Sequence, residues 1–383
     1  KLDFEKEGHN IEFEADYNTF DADEDTFFDF TGATPLADYE DFVDTKRDRT
    51  TLNLDYVNPL SESEKLEVGL QAILFNTDIG YSSTGQSYNA AGNLVPTPNT
   101  LFDYSRDIYS AYVTYGKNYE KWSYQAGVRA EQVNVVADTN SVRAFTNDYF
   151  ELYPSAYVTF NPSEKNQYQV SYSRRIDRPG VGQVNPIREW SSPLVTQYGN
   201  VNLRPQFTNS LEANYTRSLG KGSITAGVFY RIIEDQINQA VYVDRFNLDR
   251  AVLTNDNFDS TTAYGFEVSA NYKPFSWWSV NASFDLFSQT QTGISEALDT
   301  DIDNPTVDDI ILTEREVTNS VFNTRVINNF TATKKLTFTA FAMFRGPGQN
   351  IQFSNKSMFM TNVGARYSLS LIHISEPTRQ AEI

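Results

Sequence analysis

The chain contains no cysteine among its 383 residues. That absence excludes a disulfide framework, a thiol nucleophile and any cysteine-ligated metal. Histidine is nearly as scarce, with only His9 and His373, so little is available for imidazole base chemistry or a His-rich metal site. Basic residues are in the minority: 31 Lys and Arg stand against 50 Asp and Glu, a formal charge of -19. A chain this acidic repels phosphate backbones, which excludes nucleic acid as a partner. No apolar run reaches the roughly 18 residues of a transmembrane helix, and no secretory signal peptide is visible. Neither point excludes a membrane, because a strand that crosses one is only half apolar. The missing signal predicts that an N-terminal portion lies outside this sequence.

Aromatic residues are plentiful, with 23 Tyr, 27 Phe and 4 Trp, far too many for a disordered acidic chain. They fall on a pattern of strict alternation. Leu66, Val68, Leu70, Ala72 and Leu74 alternate with Glu67, Gly69 and Gln71, and Trp122, Tyr124, Ala126, Val128 and Ala130 alternate with Ser123, Gln125, Gly127 and Arg129. The same beat runs through 224–232, 264–272, 278–286 and 336–344. Successive side chains of a strand point to opposite faces, and about nine residues suffice for a tilted strand to cross a bilayer.

The connections are alternately short and long. Asn58 to Lys65, Gly116 to Lys121, Asn161 to Asn166, Ser218 to Gly222, Lys273 to Ser276 and Thr333 to Lys335 read as turns. Between them lie polar stretches at 20–49, 77–106, 134–148, 174–206, 238–261, 288–318 and 346–356. A soluble β-sandwich has little reason to keep such parity. The pattern predicts an all-β fold: an antiparallel transmembrane β-barrel fragment of about fourteen strands, with short periplasmic turns and long extracellular loops. Parity places Arg129, Glu131, Gln169, Glu212, Arg231, Glu267 and Asp285 on the polar side that faces the lumen.

Site chemistry is sparse. Barrel hydrolases use a histidine at the outer rim, and His9 falls at the opposite end, so no enzyme and no catalytic residue is expected. Asp299, Asp301 and Asp303 imitate the opening of a calcium loop, but the required Gly and the twelfth-position Glu are missing. No metal or cofactor is therefore assigned, and solvated loop charge, or cations shared with lipopolysaccharide, accounts for these carboxylates.

One stretch is more specific. Leu152-Tyr-Pro154-Ser-Ala-Tyr157 leads to Tyr168-Gln-Val-Ser-Tyr-Ser-Arg174-Arg175-Ile-Asp-Arg178-Pro179. Asn185-Pro186 follows, then Asn200-Val-Asn202-Leu-Arg204-Pro205. Together these segments resemble the outer-membrane β-barrel family allied to TonB-dependent receptors, and the resemblance extends more weakly over residues 1–368. It implies a nutrient receptor whose barrel, of roughly 22 strands, is closed by an N-terminal plug contacting the TonB complex. The plug and the closing strands are expected to lie outside this sequence. Arg174 and Arg175 end a strand, Arg175 on the lumen side and Arg174 at the rim, and Pro179 stops further pairing. With Arg178 they pair with loop carboxylates or meet an anionic substrate, the first being favoured.

Residues 369–383, beginning Leu369-Ser-Leu-Ile-His-Ile-Ser-Glu-Pro-Thr-Arg379, read as the translation of a transposase sequencing adapter and are set apart from the fold. Residues 1–368 are then a partial outer-membrane barrel domain. The expected role is the barrel portion of a TonB-dependent receptor or transporter in the cell outer membrane. The alternatives are a passive porin, a surface-binding barrel and, last, a barrel hydrolase. Expected partners are outer-membrane lipid and lipopolysaccharide, a small-molecule substrate, the TonB complex through the plug, and a surface lipoprotein.

Overall fold

The computed structural model describes residues 1–31, 37–89, 93–192, 194–299 and 301–368; the adapter-like segment lies outside them. Long strands dominate: β1 (Asn10–Phe28), β2 (Tyr39–Pro59), β3 (Glu64–Ser83), β4 (Thr100–Asn118), β5 (Trp122–Thr139), β6 (Val142–Ser163) and β7 (Asn166–Asp177). After a long connection come β8 (Gln206–Leu219), β9 (Gly222–Val243), β10 (Ala251–Phe275), β11 (Trp278–Leu298), β12 (Ile310–Thr331), β13 (Leu336–Arg345) and β14 (Met358–Tyr367). Each pairs antiparallel with the next in sequence. Such a meander keeps every pairing between chain neighbours.

The sheet holds 17 strands, which corrects the expected total of about fourteen. The additional members are short: Leu2–Asp3 pairs with β1, and Glu189–Ser192 and Val195–Gln197 lie within the connection after β7. Val195–Gln197 runs parallel to the start of β10, the one departure from antiparallel pairing in the described residues. No pairing joins β1 to β14, so the described sheet does not close. The longest helical segment among the described residues is the single turn Val181–Val184.

A second correction concerns the polar stretches. Those at 20–49, 134–148 and 288–318 are mostly strand, because β1, β2, β5, β6, β11 and β12 continue far beyond their apolar alternation. A ladder is made by the backbone, so pairing persists where the period-2 signal stops. The reversal between β5 and β6 takes only Asn140 and Ser141, both left-handed at φ 50° and 62°. That is the geometry of a primed hairpin turn, which matches the twist of the strands it joins.

Register defines the two faces. Leu54, Leu70, Ala111, Ala130 and Leu152 stand opposite one another across β2 to β6, as do Val68, Val113, Val128 and Pro154 across β3 to β6. This face is apolar yet solvent-exposed, Val228 on β9 being 54% and Phe266 on β10 41% exposed. A soluble protein would cover so large an apolar surface; lipid satisfies it.

The other face is concave, because connections from the long-loop end pack against strands far apart in the sheet. The β7–β8 connection contributes Val184, Ile187 and Leu203 to a core with Ile79 of β3, Phe102 and Tyr104 of β4, and Val133 and Val135 of β5. Its Gln183, Asn200 and Arg204 bond to Asn255, Asp256 and Asn257 of β10. The β13–β14 connection behaves similarly, seating Ile351 against Ala240 of β9 and Phe258 of β10.

Candidate functional site

The strands change character part-way along. On β5 the outward residues Val128 and Ala130 give way to Gln132 and Asn134, while the inward Arg129 and Glu131 give way to Val133, Val135 and Ala137. On β3 the inward series runs from Gly69 and Gln71 into Ile73, Phe75, Thr77, Ile79 and Tyr81, and on β4 from Tyr112 and Ser110 into Ile108, Tyr104 and Phe102. The phase of amphipathicity therefore inverts within each of these three strands. Below the inversion the apolar residues face outward; above it they face inward and hold the β7–β8 connection.

At the inversion sits a polar network on the inner face. Glu131, only 5% exposed, accepts from Arg129 Nε at 2.6 Å and from Ser110 Oγ at 3.2 Å. Arg129 Nη2 donates to Gln71 Oε1 at 2.5 Å and to Ser110 Oγ at 2.8 Å, and Gln71 Nε2 donates to Asn53 Oδ1 at 2.7 Å. The second oxygen of Glu131 meets Arg178, whose Nε also donates to the Tyr149 hydroxyl at 3.0 Å. One buried carboxylate is thus neutralised by an arginine of the wall and another from the connection, the multiple pairing a buried charge requires. One rung below, the Tyr112 hydroxyl donates to Asp55 Oδ1 at 2.6 Å, its ring lying across the space over Gly69.

The motif residues lie along the docked connection. Arg174 fills the fork where β6 leaves β7, beyond Ser155 and Ser173. There its Nη1 donates to Glu151 Oε2 at 2.7 Å and to the Leu152 carbonyl at 3.1 Å, and its guanidinium lies over Phe207 at 4.5 Å. Arg175 stands opposite Thr208, and the Pro179 carbonyl accepts from Arg106 at 3.5 Å. Asn185 accepts the Ile187 N–H on its side chain at 3.1 Å and the Gly199 N–H on its carbonyl at 2.7 Å. A Cβ at Gly199 would strike that backbone, so the close approach requires glycine. Pro186 is half-buried and Pro205 buried. Asn200 accepts from the Asn202 N–H at 2.9 Å and donates to Asp256 at 3.3 Å. Arg204 pairs with Asp235 at 2.5 Å, a residue at φ 52° beyond which the facing of β9 reverses.

Of the remaining residues singled out in the sequence, Gln169 donates to Thr159 at 3.3 Å. Arg231 joins Glu212 at 3.1 Å and Glu267 at 3.9 Å, and Asp285 stands directly opposite Glu267 in the ladder. Register puts all of them on the inner face. Asp299, Asp301 and Asp303 are not gathered into a cation cage: Asp299 Oδ1 instead accepts the Asp301 N–H at 3.0 Å. Among the described residues the one group of three converging carboxylates is Asp21, Asp23 and Asp44, all exposed.

Sequence reasoning missed the apolar upper wall and the partners Asp235 and Asp256. The wall had a signal, since the phase inversion is visible in the residues of β3 and β5. The two aspartates had none, because a left-handed residue within a strand and a contact between distant strands leave no local pattern.

A curved antiparallel sheet with an apolar exterior and a polar interior defines an outer-membrane barrel protein. The sequence matches the model of the outer membrane protein beta-barrel family over residues 2–370, and the chain belongs to that family. Solved structures share the fold. The siderophore receptor PiuA from Acinetobacter baumannii superposes with a TM-score of 0.62 at 15% identity, over 96% of this chain and 57% of that one. The ferric yersiniabactin uptake receptor FyuA from Yersinia pestis gives 0.51 at 8% identity, over 95% and 59%. The hemophore receptor HasR of Serratia marcescens, solved with its hemophore HasA and heme, gives 0.51 at 12% identity, over 95% and 72%. The chain thus spans less than two thirds of the length of PiuA and FyuA. A comparison with curated proteins finds no match.

Proposed function

We propose that this chain is the barrel portion of a TonB-dependent outer-membrane receptor that takes up a scarce nutrient. The observation that carries the reading is the polar inner face, Arg129, Glu131, Glu212, Arg231, Glu267 and Asp285, set behind an exterior that is apolar along its lower half. Such a wall encloses a hydrated interior within lipid. The fold shared with siderophore, yersiniabactin and hemophore receptors supports uptake of a chelated metal or heme as the cargo class. Energy enters through a plug domain that meets the TonB complex, and a surface lipoprotein is a further partner at the loop face.

The test uses the full-length protein in its own outer membrane. Uptake of labelled ferric siderophores, heme and copper is measured in cells with the gene intact or deleted, and with TonB present or depleted. The reading predicts one cargo whose uptake needs both. Flux that needs the gene but continues at the same rate without TonB contradicts it and indicates a passive porin.

A further inference from the structure

On the outward face a groove of about 480 Å³ crosses β1 to β6, within the roughly 300–1,000 Å³ typical of small-molecule sites. Its floor is the diagonal of small residues Ala72, Ala111 and Ala130, and its sides are raised by Leu70, Tyr109 and Phe150. Ala111 and Ala130 stand directly opposite each other, between Leu70 and Leu152. The hollow therefore arises from two adjacent alanines within a ladder of larger side chains.

Its height is fixed by register. Ala111 lies seven residues from the end of β4 at Asn118. That is about 23 Å along the strand and about 17 Å above the short-turn end for a strand tilted by roughly 40°, within an apolar band about 25 Å tall. The groove thus opens in the half of the bilayer nearer the long loops. The next outward rung is Asp107, Asn134 and Asp148 in register across β4 to β6, and two rungs higher Asp78, Asp103 and Asp138 stand opposite one another. Hydrocarbon ends where those carboxylates begin.

We propose that this groove seats one acyl chain of a lipopolysaccharide of the outer leaflet. A second protein copy packed here would bury Asp107 and Asp148 against its own surface, an uncompensated desolvation. A lipid leaves them at headgroup level, where they share the divalent cations that neutralise lipopolysaccharide phosphates. The proposal requires only that the wall spans the outer membrane and is independent of the transported cargo.

The experiment extracts the full-length protein from outer membranes in mild detergent and quantifies retained lipopolysaccharide and phospholipid per protein by mass spectrometry. Wild type retains lipopolysaccharide. Ala111→Phe with Ala130→Phe fills the groove and lowers retention about tenfold. Ala282→Phe, on the outward face of β11 and away from the groove, leaves it unchanged. Ala111→Ile, a smaller intrusion, gives an intermediate loss even if the double variant fails to insert. Retention equal to wild type in the groove variants, equal loss in Ala282→Phe, or retention of phospholipid alone overturns the proposal.

Discussion

Glu131 shows how single residues tie the interior together. Its carboxylate is shared by Arg129 of the same strand and Arg178 of the β7–β8 connection, and it is almost fully buried. Removing one partner of a buried ion pair costs about 3–5 kcal/mol, because the other charge is stranded. Glu131→Ala is therefore expected to release the connection while the ladder of β5 persists. Hydrogen exchange checks it: protection should fall around Val181–Val184 and remain in β5. Gly69 makes the complementary point. A Cβ there would press into the Tyr112 ring and Asp55 Oδ1, whereas nothing lies within 4 Å of one at Gly220. Overpacking costs about 1–3 kcal/mol, so Gly69→Ala should lower the unfolding midpoint in urea and Gly220→Ala should leave it unchanged.

At the scale of the strand, the phase inversion separates the part made for lipid from the part made for the docked connection. Charge on the outward face of the lower half is costly, about 2–4 kcal/mol for Lys or Arg near the membrane midplane. Val128→Lys and Val228→Lys should therefore reduce the yield of inserted, heat-modifiable protein. Lysine at Gln125 or Thr225, whose side chains bond inward to Tyr157 and Thr216, should have little effect. The hairpin of β11 and β12 offers a titration. Asp309 Oδ2 accepts the Thr306 N–H at 2.7 Å and its hydroxyl at 2.8 Å, which holds the Asp309 carboxyl below its ordinary value of 3.8. A depressed carboxylate stabilises the fold above its unfolded pKa, and that stabilisation is lost as pH falls through the folded value. Exchange protection around 306–309 should be constant from neutral pH down to the ordinary carboxylate range and be lost below it.

Over the whole molecule, the meander and its alternating turns were legible because alternation and turn chemistry are local and read directly from residues such as Trp122 to Ala130 or Lys273 to Ser276. The reach of the strands was not, since backbone pairing through Asp21 to Asp25 or Glu314 to Glu316 needs no apolar pattern. The candidate site was half legible. Parity placed Glu131, Arg231 and Glu267 on one face, but the contact between Arg178 and Glu131 joins residues 47 apart in sequence, and it depends on how the chain turns back over the inner face after β7 ends at Asp177.

One face of the lower strands meets lipid while the other meets water. The chain has no cysteine of its own, so single cysteines introduced from Ile224 to Ile232 of β9 give a clean readout in the full-length protein once any cysteine outside these residues is replaced. Fluorophores at 224, 226, 228, 230 and 232 are expected to be quenched by a lipid-confined spin label, and cysteines at the half-exposed inward positions 225 and 231 to react with a membrane-impermeant thiol reagent. Uniform accessibility along β9, or the opposite alternation, would contradict this division of faces.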